Sequence, residues 1–371
     1  MRARLLISVL AFSLALLPSA AAEARVTWIV KGRGFGHGVG MSQWGAYGFA
    51  LHGKGHRFIL GHYYRGTTLG ELRQAQVVRV LVDVSGADVR FSGARSACGV
   101  SLDPRRAYAA HRVGASVRLL GPGGRRLARC GGGLRAAGPG RIRIGGTLYR
   151  GALEVVPTES DSGSLNAVNA VPLDQYVKGV IPNESPASWP LAALRAQAIA
   201  ARSYALTGRI DGNGFDLYED TRSQVYDGIA SEDPRTNRAA DETRGVVVRY
   251  GGEVAQTFFS ACSGGHTENA ENVFFGPSVP YLVGVPDPYD HYCPLHTWTL
   301  RFSGPEISAK FGSYLAGRLK RVVVTRRGAS PRIVWARLYG TGGVTKIRGD
   351  QLAAALGGYD RWMSFQKVVE K

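Results

Sequence analysis

Three groups of residues have types and spacings suited to chemistry. The first is Glu184 in the stretch NESPASWPL, held between Pro182 and Pro186 and followed by Trp189. A carboxyl group in apolar surroundings loses stabilisation of its charged form, so its pKa rises and it can donate a proton near neutral pH. The competing reading is that Glu184 only complements the positive end of the helix that follows. The second group is GRGFGHGVGMSQWGAYGFA, residues 32 to 50, with glycine at every second position from Gly32 to Gly40 around His37, then Ser42 and Gln43. If extended, this ladder leaves one face bare and puts Phe35, His37, Val39 and Met41 on the other. A bare face admits a close approach, by a ligand or by a neighbouring strand packed for fold reasons. The third group is Cys262, His266, His291, Cys293 and His296.

Those residues need positioning elements. Val26 to Val30 reads as a strand leading into the ladder, and Ser42 to Leu51 as a helix. The strongest helix is 189–208, WPLAALRAQAIAARSYALTG, with Ser188 as N-cap, Pro190 in the first turn and Gly208 at its end. Leu191, Leu194, Ala198, Ala201 and Ala205 form its apolar stripe. Gln197 with Tyr204, and Arg195 with Arg202, repeat at seven-residue spacing, so each pair shares a face. Residues 76 to 160 carry short runs such as VVRVLVDV, RIRI and ALEVV between Gly and Pro turns, the pattern of a small all-β module. Further strands are expected at 245–250, 253–260, 320–325 and 332–338, with a short helix at 349–356. The fold class is α+β.

Residues 1–24, MRARLLISVLAFSLALLPSAAAEA, have a basic start, an apolar run and small residues at the end, the pattern of a signal peptide. The run is shorter than the roughly 20 residues of a membrane span, and an uncleaved anchor would look much the same; any membrane association is expected through this segment alone. Export places the protein outside the cytoplasm, and the remaining residues are enough for two domains. The net charge of +18 invites a polyanionic partner, wall polymers or lipid headgroups before nucleic acid. Only eight of the 46 basic residues are lysine, a preference that a GC-rich genome would also produce. The arginines are not interleaved with aromatics in one block, so no nucleic-acid partner is expected. The ladder never fits GxGxxG, and in GFALHGKG, from Gly48, Gly55 stands where a phosphate loop needs Ser or Thr, so nucleotide cofactors are set aside. Sequence proximity pairs Cys98 with Cys130 and Cys262 with Cys293. The rival for the second pair is a zinc site of Cys262 and His266 with Cys293 and His291 or His296, which lacks the tight CxxC spacing. No metal is expected.

The segment VNAVPLDQYVKGVIPNESPASWPLAALRAQAIAARSYAL, residues 168–206, resembles the core of the SpoIID/LytB family, with its pattern E-x-P-x-x-W-P followed by A-L-K-A-Q-A-x-A-A-R-T-Y. Glu184, Pro186, Trp189, Pro190, Gln197, Arg202 and Tyr204 match it, with Arg195 for Lys and Ser203 for Thr. FDLYEDTRSQVYDG (215–228), the segment 242–274 and the opening ladder are also similar to family segments. In the usual family order GxGxGHGVGMSQxGA lies near the C-terminus, after a segment like KIRGDQLAAAL, so this sequence reads as circularly permuted. Lys346 to Phe365 should then end beside the ladder.

The domains implied are residues 25–70 as a permuted part of the catalytic core, 71–160 as the small β module, and 161–371 as the SpoIID-like core. The resemblance implies a peptidoglycan lytic transglycosylase acting on peptide-free glycan strands, with Glu184 as acid and base and no cofactor. It suggests that Arg202 orients Glu184 or holds substrate, the alternative being a salt bridge. His37, Ser42, Gln43, Gln197, Tyr204, Gln224, Tyr226, Ser263 and His266 are the expected substrate contacts, and Glu219 and Asp220 the acids available if the reaction were hydrolysis. Family members described as amidase enhancers imply a second reading, a non-catalytic wall-binding partner of an amidase.

Overall fold

The computed structural model describes residues 25–86, 88–159 and 163–370; the signal segment lies outside them. No helix among the described residues is long and apolar enough to cross a membrane. Strands outweigh helices, and the elements collect around three apolar cores, an α+β architecture.

The first core lies inside a pair of facing sheets. A six-stranded sheet runs in the order 126–129, 116–120, 108–113, 89–92, 141–144, 147–150. A seven-stranded sheet runs 217–218, 77–85, 165–172, 152–157, 134–137, 96–97, 100–101. Alternation explains the pairing: Val89, Phe91, Val117, Leu119 and Ile142 point in from one sheet, and Leu134, Ala136, Leu153, Val155 and Leu165 from the other. Cys98 is bonded to Cys130, which ties an edge of the second sheet to the end of the first. The boundary expected at residue 160 is not a structural break. Strand 152–157 pairs with 165–172, which in turn pairs with 77–85, so the module and the core segment share one sheet.

Two helices lie against this sandwich, α3 (Leu173–Glu184) and α4 (Leu191–Thr207). Helix α4 begins two residues later than its sequence suggests, with Pro190 rather than Ser188 at its cap, and ends at Gly208 as expected. It is the hub of the molecule. Leu194, Ala198, Ala201 and Ala205 join the first core, while Ala196, Ile199 and Ala200 join the second, with helices α1 (Gln43–Leu51) and α2 (His56–Tyr63). A helix apolar on nearly all sides is a buried one, and its alanines let neighbours pack closely on both faces.

The third core closes the chain on itself. Strand β1 (Arg25–Arg33) pairs antiparallel on one side with 297–303 and on the other with 363–370, in a register that sets Val30 opposite Phe365. Gly36 N–H donates to the Tyr359 carbonyl. The segment ending at Phe365 therefore does lie beside the ladder. The helix Gly349–Leu356 has the bounds its sequence suggests, and the expected strand 253–260 is broken into Glu253–Val254 and Phe259–Ser260.

The ladder itself is not extended. Its even-numbered glycines from Gly34 to Gly40 take positive φ, so the run coils instead of alternating; Phe35 is exposed while Val39 is fully buried. What approaches the glycines is the chain's own structure, not open space for a ligand. A β-carbon at Gly38 would meet the Arg332 guanidinium, and one at Gly40 the Phe258 carbonyl. With φ of 75° and 70°, both positions also favour glycine for backbone reasons.

Candidate functional site

Glu184 is not in a loop before α4. It is the last residue of α3, which carries Pro182 inside its final turn and closes with Ser185 N–H donating to the Ile181 carbonyl. The carboxyl group thus sits at the negative end of a helix, which disfavours its ionised form. Burial pushes its pKa up, and two hydrogen bonds offset part of that rise, one from the Gln43 amide and one from the Val225 backbone. Gln43 Nε2 donates to Glu184 Oε2 at 3.0 Å. No neighbouring carboxylate contributes to the shift among the described residues.

Gln43 reaches Glu184 because of how α1 starts. Ser42, extended and buried, accepts from Gly45 N–H as N-cap and donates to Asp290 Oδ1 at 2.8 Å. Asp290 is buried and also accepts from Ser263 N–H, Gly264 N–H and His296. Cys262, next to Ser263, is bonded to Cys293, three residues beyond Asp290, so these cysteines are not free to ligate a metal. Beside Asp290 lies Asp287, which accepts from Tyr63 and Ser263. Burial, then the Asp290 charge, raises the Asp287 pKa to about 7.

An aromatic group joins Trp44, next to Gln43 in sequence, to Trp189. Trp189 rests against Trp44 and Tyr47 at ring-centroid distances of 5.0 Å, and Tyr47 meets Tyr292 at 5.7 Å. Trp189 is buried, Trp44 and Tyr47 are half-buried, and Tyr292 is exposed, so the group grades from core to surface. Half-exposed rings of this kind offer faces to the apolar sides of sugars. The W-x-x-Y spacing on α1, which puts Trp44 and Tyr47 on one face, was the sequence signal for this platform, and Tyr292 had none.

The expected contacts divide. Tyr204 is close enough for the Glu184 charge, after burial, to raise its pKa. Gln197, two turns before it on the same face of α4, is buried with both amide atoms unpartnered. Gln224 accepts from the Tyr176 hydroxyl at 3.3 Å and leaves its Nε2 unpartnered, and the Ser185 hydroxyl next to Glu184 is likewise buried and orphaned. Each such orphan costs about 1–3 kcal/mol unless a ligand or water completes it. Tyr176 and Ser185 were missed in the sequence, because neither stands out among a helix and a cap.

The others are placed elsewhere. Arg202 does not reach Glu184: it is fully buried, paired to Asp174 at 2.8 Å, and donates to the carbonyls of Ala198, Val246 and Ala240. It joins α4 to α3 and to strand 246–250, a structural role in place of the orienting or substrate role expected. Tyr226 is core, its hydroxyl on Asn169 and its ring against Tyr149 and Tyr176. Ser42 and Ser263 are buried and fully engaged around Asp290 and Asp287, so neither is a substrate contact. His37 accepts from Val39 N–H and sits between Phe258 and Phe274; burial, then Arg332 and Arg361, lowers its pKa to about 4. It is neutral at physiological pH. His266 bonds the Thr267 carbonyl in the disulfide loop. Glu219, with Asp220 and Asp227, lines a cavity of about 500 Å³ that also includes Val225, whose backbone bonds Glu184; burial, then Asp227, raises the Glu219 pKa to about 7.

Residues 161–250, which hold Glu184, Gln197, Tyr204 and Gln224, match the family model described as SpoIID, Stage II sporulation protein. In this segment the chain is similar to the SpoIID/LytB family. The chain is 31% identical over 168 residues to the Stage II sporulation protein D of Bacillus subtilis, covering 41% of this chain and 49% of that protein. It is 42% identical over 134 residues to the Amidase enhancer of the same organism, covering 36% and 18%. A third relative, an uncharacterized protein of Brachyspira hyodysenteriae, is 38% identical over 174 residues, 46% of each chain. The chain thus spans about half the length, or less, of these relatives. Gln43 and the disulfide network lie outside the residues of the family model, so the site joins the SpoIID segment to the opening of the chain.

Proposed function

We propose that this protein is a peptidoglycan lytic transglycosylase that acts on peptide-free glycan strands outside the cytoplasm, with Glu184 as its single acid and base. The observation that carries the reading is the Glu184 carboxyl itself: pushed up by burial, at a helix C-terminus and held by the Gln43 amide. Protonated Glu184 donates to the glycosidic oxygen as the bond from that oxygen to the N-acetylmuramic C1 breaks. The ionised carboxylate then accepts the proton of the same sugar's C6 hydroxyl, whose oxygen closes onto C1 as a 1,6-anhydro bridge. The atoms balance without water. Hydrolysis would need a second carboxylate at about 5–9.5 Å to activate water or bind the sugar, whereas the side chain bonded to Glu184 is the Gln43 amide. Gln43 fixes the carboxyl orientation, and Gln197, Gln224, Ser185 and Tyr204 supply partners for sugar hydroxyls and amides.

The order of family segments supports a circular permutation, in which the strand pairing of the two chain ends keeps the ladder beside the segment that precedes it in relatives. A second reading, a wall-binding enhancer of an N-acetylmuramoyl-L-alanine amidase, is favoured by the relative named Amidase enhancer. End-group analysis of purified denuded glycan separates the two. The transglycosylase yields 1,6-anhydromuramyl ends, a hydrolase yields reducing ends, and an enhancer leaves the strands intact while raising the rate of an added amidase.

A further inference from the structure

The outer face of the six-stranded sheet has no role in the site around Glu184. Between Asp88 and Arg150 the chain is rich in arginine, and its only acids are Asp88 and Asp103. The sheet sorts these charges by its alternation of faces. Val89, Phe91, Val117, Leu119, Ile142 and Ile144 point into the sandwich, so Arg90, Arg118, Arg141 and Arg143 point out.

The register then aligns the cations. Arg129 is opposite Arg118, and Arg118 is opposite His111, one row across three strands. The next row reads Arg126, Leu120, Ala109, Arg90. Leu120 and Ala109 form the floor of a groove of about 630 Å³, flanked by Arg90 and by the turn Gly121–Gly124. On the far side of Arg90, Arg143 is opposite Ser92. Of the two acids, Asp88 is paired to His111 at 2.7 Å and Asp103 to Arg106. Arg90, Arg118, Arg126 and Arg141 have no carboxylate partner among the described residues. Unneutralised guanidinium groups in ordered rows repel one another, and an extended anion removes that repulsion.

We propose that this face is a second binding site, for a phosphodiester-linked polymer laid across the sheet. Guanidinium forks match phosphate oxygens in pairs, and outward residues recur about 6.6–6.8 Å apart along a strand, a spacing suited to an extended phosphodiester repeat. A membrane is disfavoured, because none of the exposed large apolar side chains lies on these strands. Nucleic acid is disfavoured because the face offers no exposed ring on which bases stack. The wall as the source of the polymer rests on the function proposed above; the phosphate chemistry does not.

The test titrates the full chain with poly(glycerol phosphate) across a series of salt concentrations. Two triple variants with equal loss of charge are compared: Arg90→Gln, Arg118→Gln, Arg143→Gln on the face, and Arg301→Gln, Lys320→Gln, Arg337→Gln away from it, the latter three all exposed. At about 0.7 in log–log slope per phosphate contact, the face variant should lower the slope by about 2 and weaken binding about 100-fold at 0.1 M salt, and the control should bind like the parent. Glu184→Gln should bind unchanged, so loss of the enzymatic reading would leave this result standing. The proposal is overturned if both triple variants weaken binding alike, if the face variant binds like the parent, or if a single-stranded oligonucleotide of equal phosphate number or an anionic vesicle binds more tightly than poly(glycerol phosphate).

Discussion

Replacing Gln43 by alanine tests the link between the opening segment and Glu184. The Gln43 amide is buried and donates to Glu184 Oε2 at 3.0 Å, so it stabilises the ionised carboxylate. Hydrogen bonds to charged groups contribute about 1.5–3 kcal/mol, and 1.36 kcal/mol corresponds to about one pKa unit. Water entering the vacated space replaces part of the bond, which brings the expected rise in the Glu184 pKa to about 1 unit. The Val225 backbone bond remains and keeps the shift from growing further. Because the proposed reaction starts from the protonated acid, the alkaline limb of the pH–rate profile for glycan cleavage should move up by that amount. Its maximum rate should fall, since the carboxyl loses its fixed orientation. Gln43→Glu, which adds a like charge, should raise the limb further. Carboxyl ¹³C titration of Glu184 reads the same pKa independently of turnover. A limb and a titration that stay where they are in Gln43→Ala would refute the reasoning.

Other expectations follow from the buried network. Arg202→Ala should destabilise the protein by about 3–5 kcal/mol in denaturant unfolding, because it strands buried carbonyls and Asp174; the folded fraction should keep the parent pH–rate limb, and a shifted limb would return Arg202 to the site. The two disulfides close loops of nearly equal length, with separations of 32 and 31 residues, so removing either should cost roughly 3–4 kcal/mol. Only the Cys262→Ser, Cys293→Ser pair should also lower activity in folded protein, since those cysteines bracket Asp290, which anchors Ser42 ahead of Gln43; equal activities would contradict this. Asp287, with a folded pKa of about 7 against an unfolded value near 3.9, binds more protons in the folded state between those values. Its contribution to stability is present below about pH 4 and is lost as pH rises through 7. Melting temperatures of Asp287→Asn should therefore vary less than the parent's between pH 4 and 8, and an unchanged slope would assign the dependence elsewhere.

Much of the fold was legible where a local signal and the tertiary environment agree. Helix α4 followed from its alanine-rich run, and the strands of the six-stranded sheet from alternation in RIRI and ASVRLL. The glycine ladder coils where alternation predicts an extended run, because period-two glycine also fits a chain that turns left-handed at every second residue. Only the neighbours, Arg332 and the Phe258 carbonyl, decide between those conformations. The domain boundary at 160 failed for a related reason, since strand pairing across the sequence leaves no trace in composition. At the site, the motif points to Glu184 and the ladder brings Gln43 to the same groove, but the hydrogen bond between them has no signal in the sequence. Arg202, Tyr226, Ser42 and Ser263 look like ligand contacts in sequence, and they are buried partners of Asp174, Asn169 and Asp290 with Asp287. A polar residue in a motif serves the fold as readily as a ligand, and what separates the two here is whether its buried polar atoms are satisfied by the chain itself.

The most direct measurement is the end-group composition of denuded glycan treated with the parent protein and with Glu184→Gln, after circular dichroism confirms that both are folded. The account predicts 1,6-anhydromuramyl ends from the parent and intact strands from the variant. Anhydro ends released at an equal rate by Glu184→Gln would contradict it.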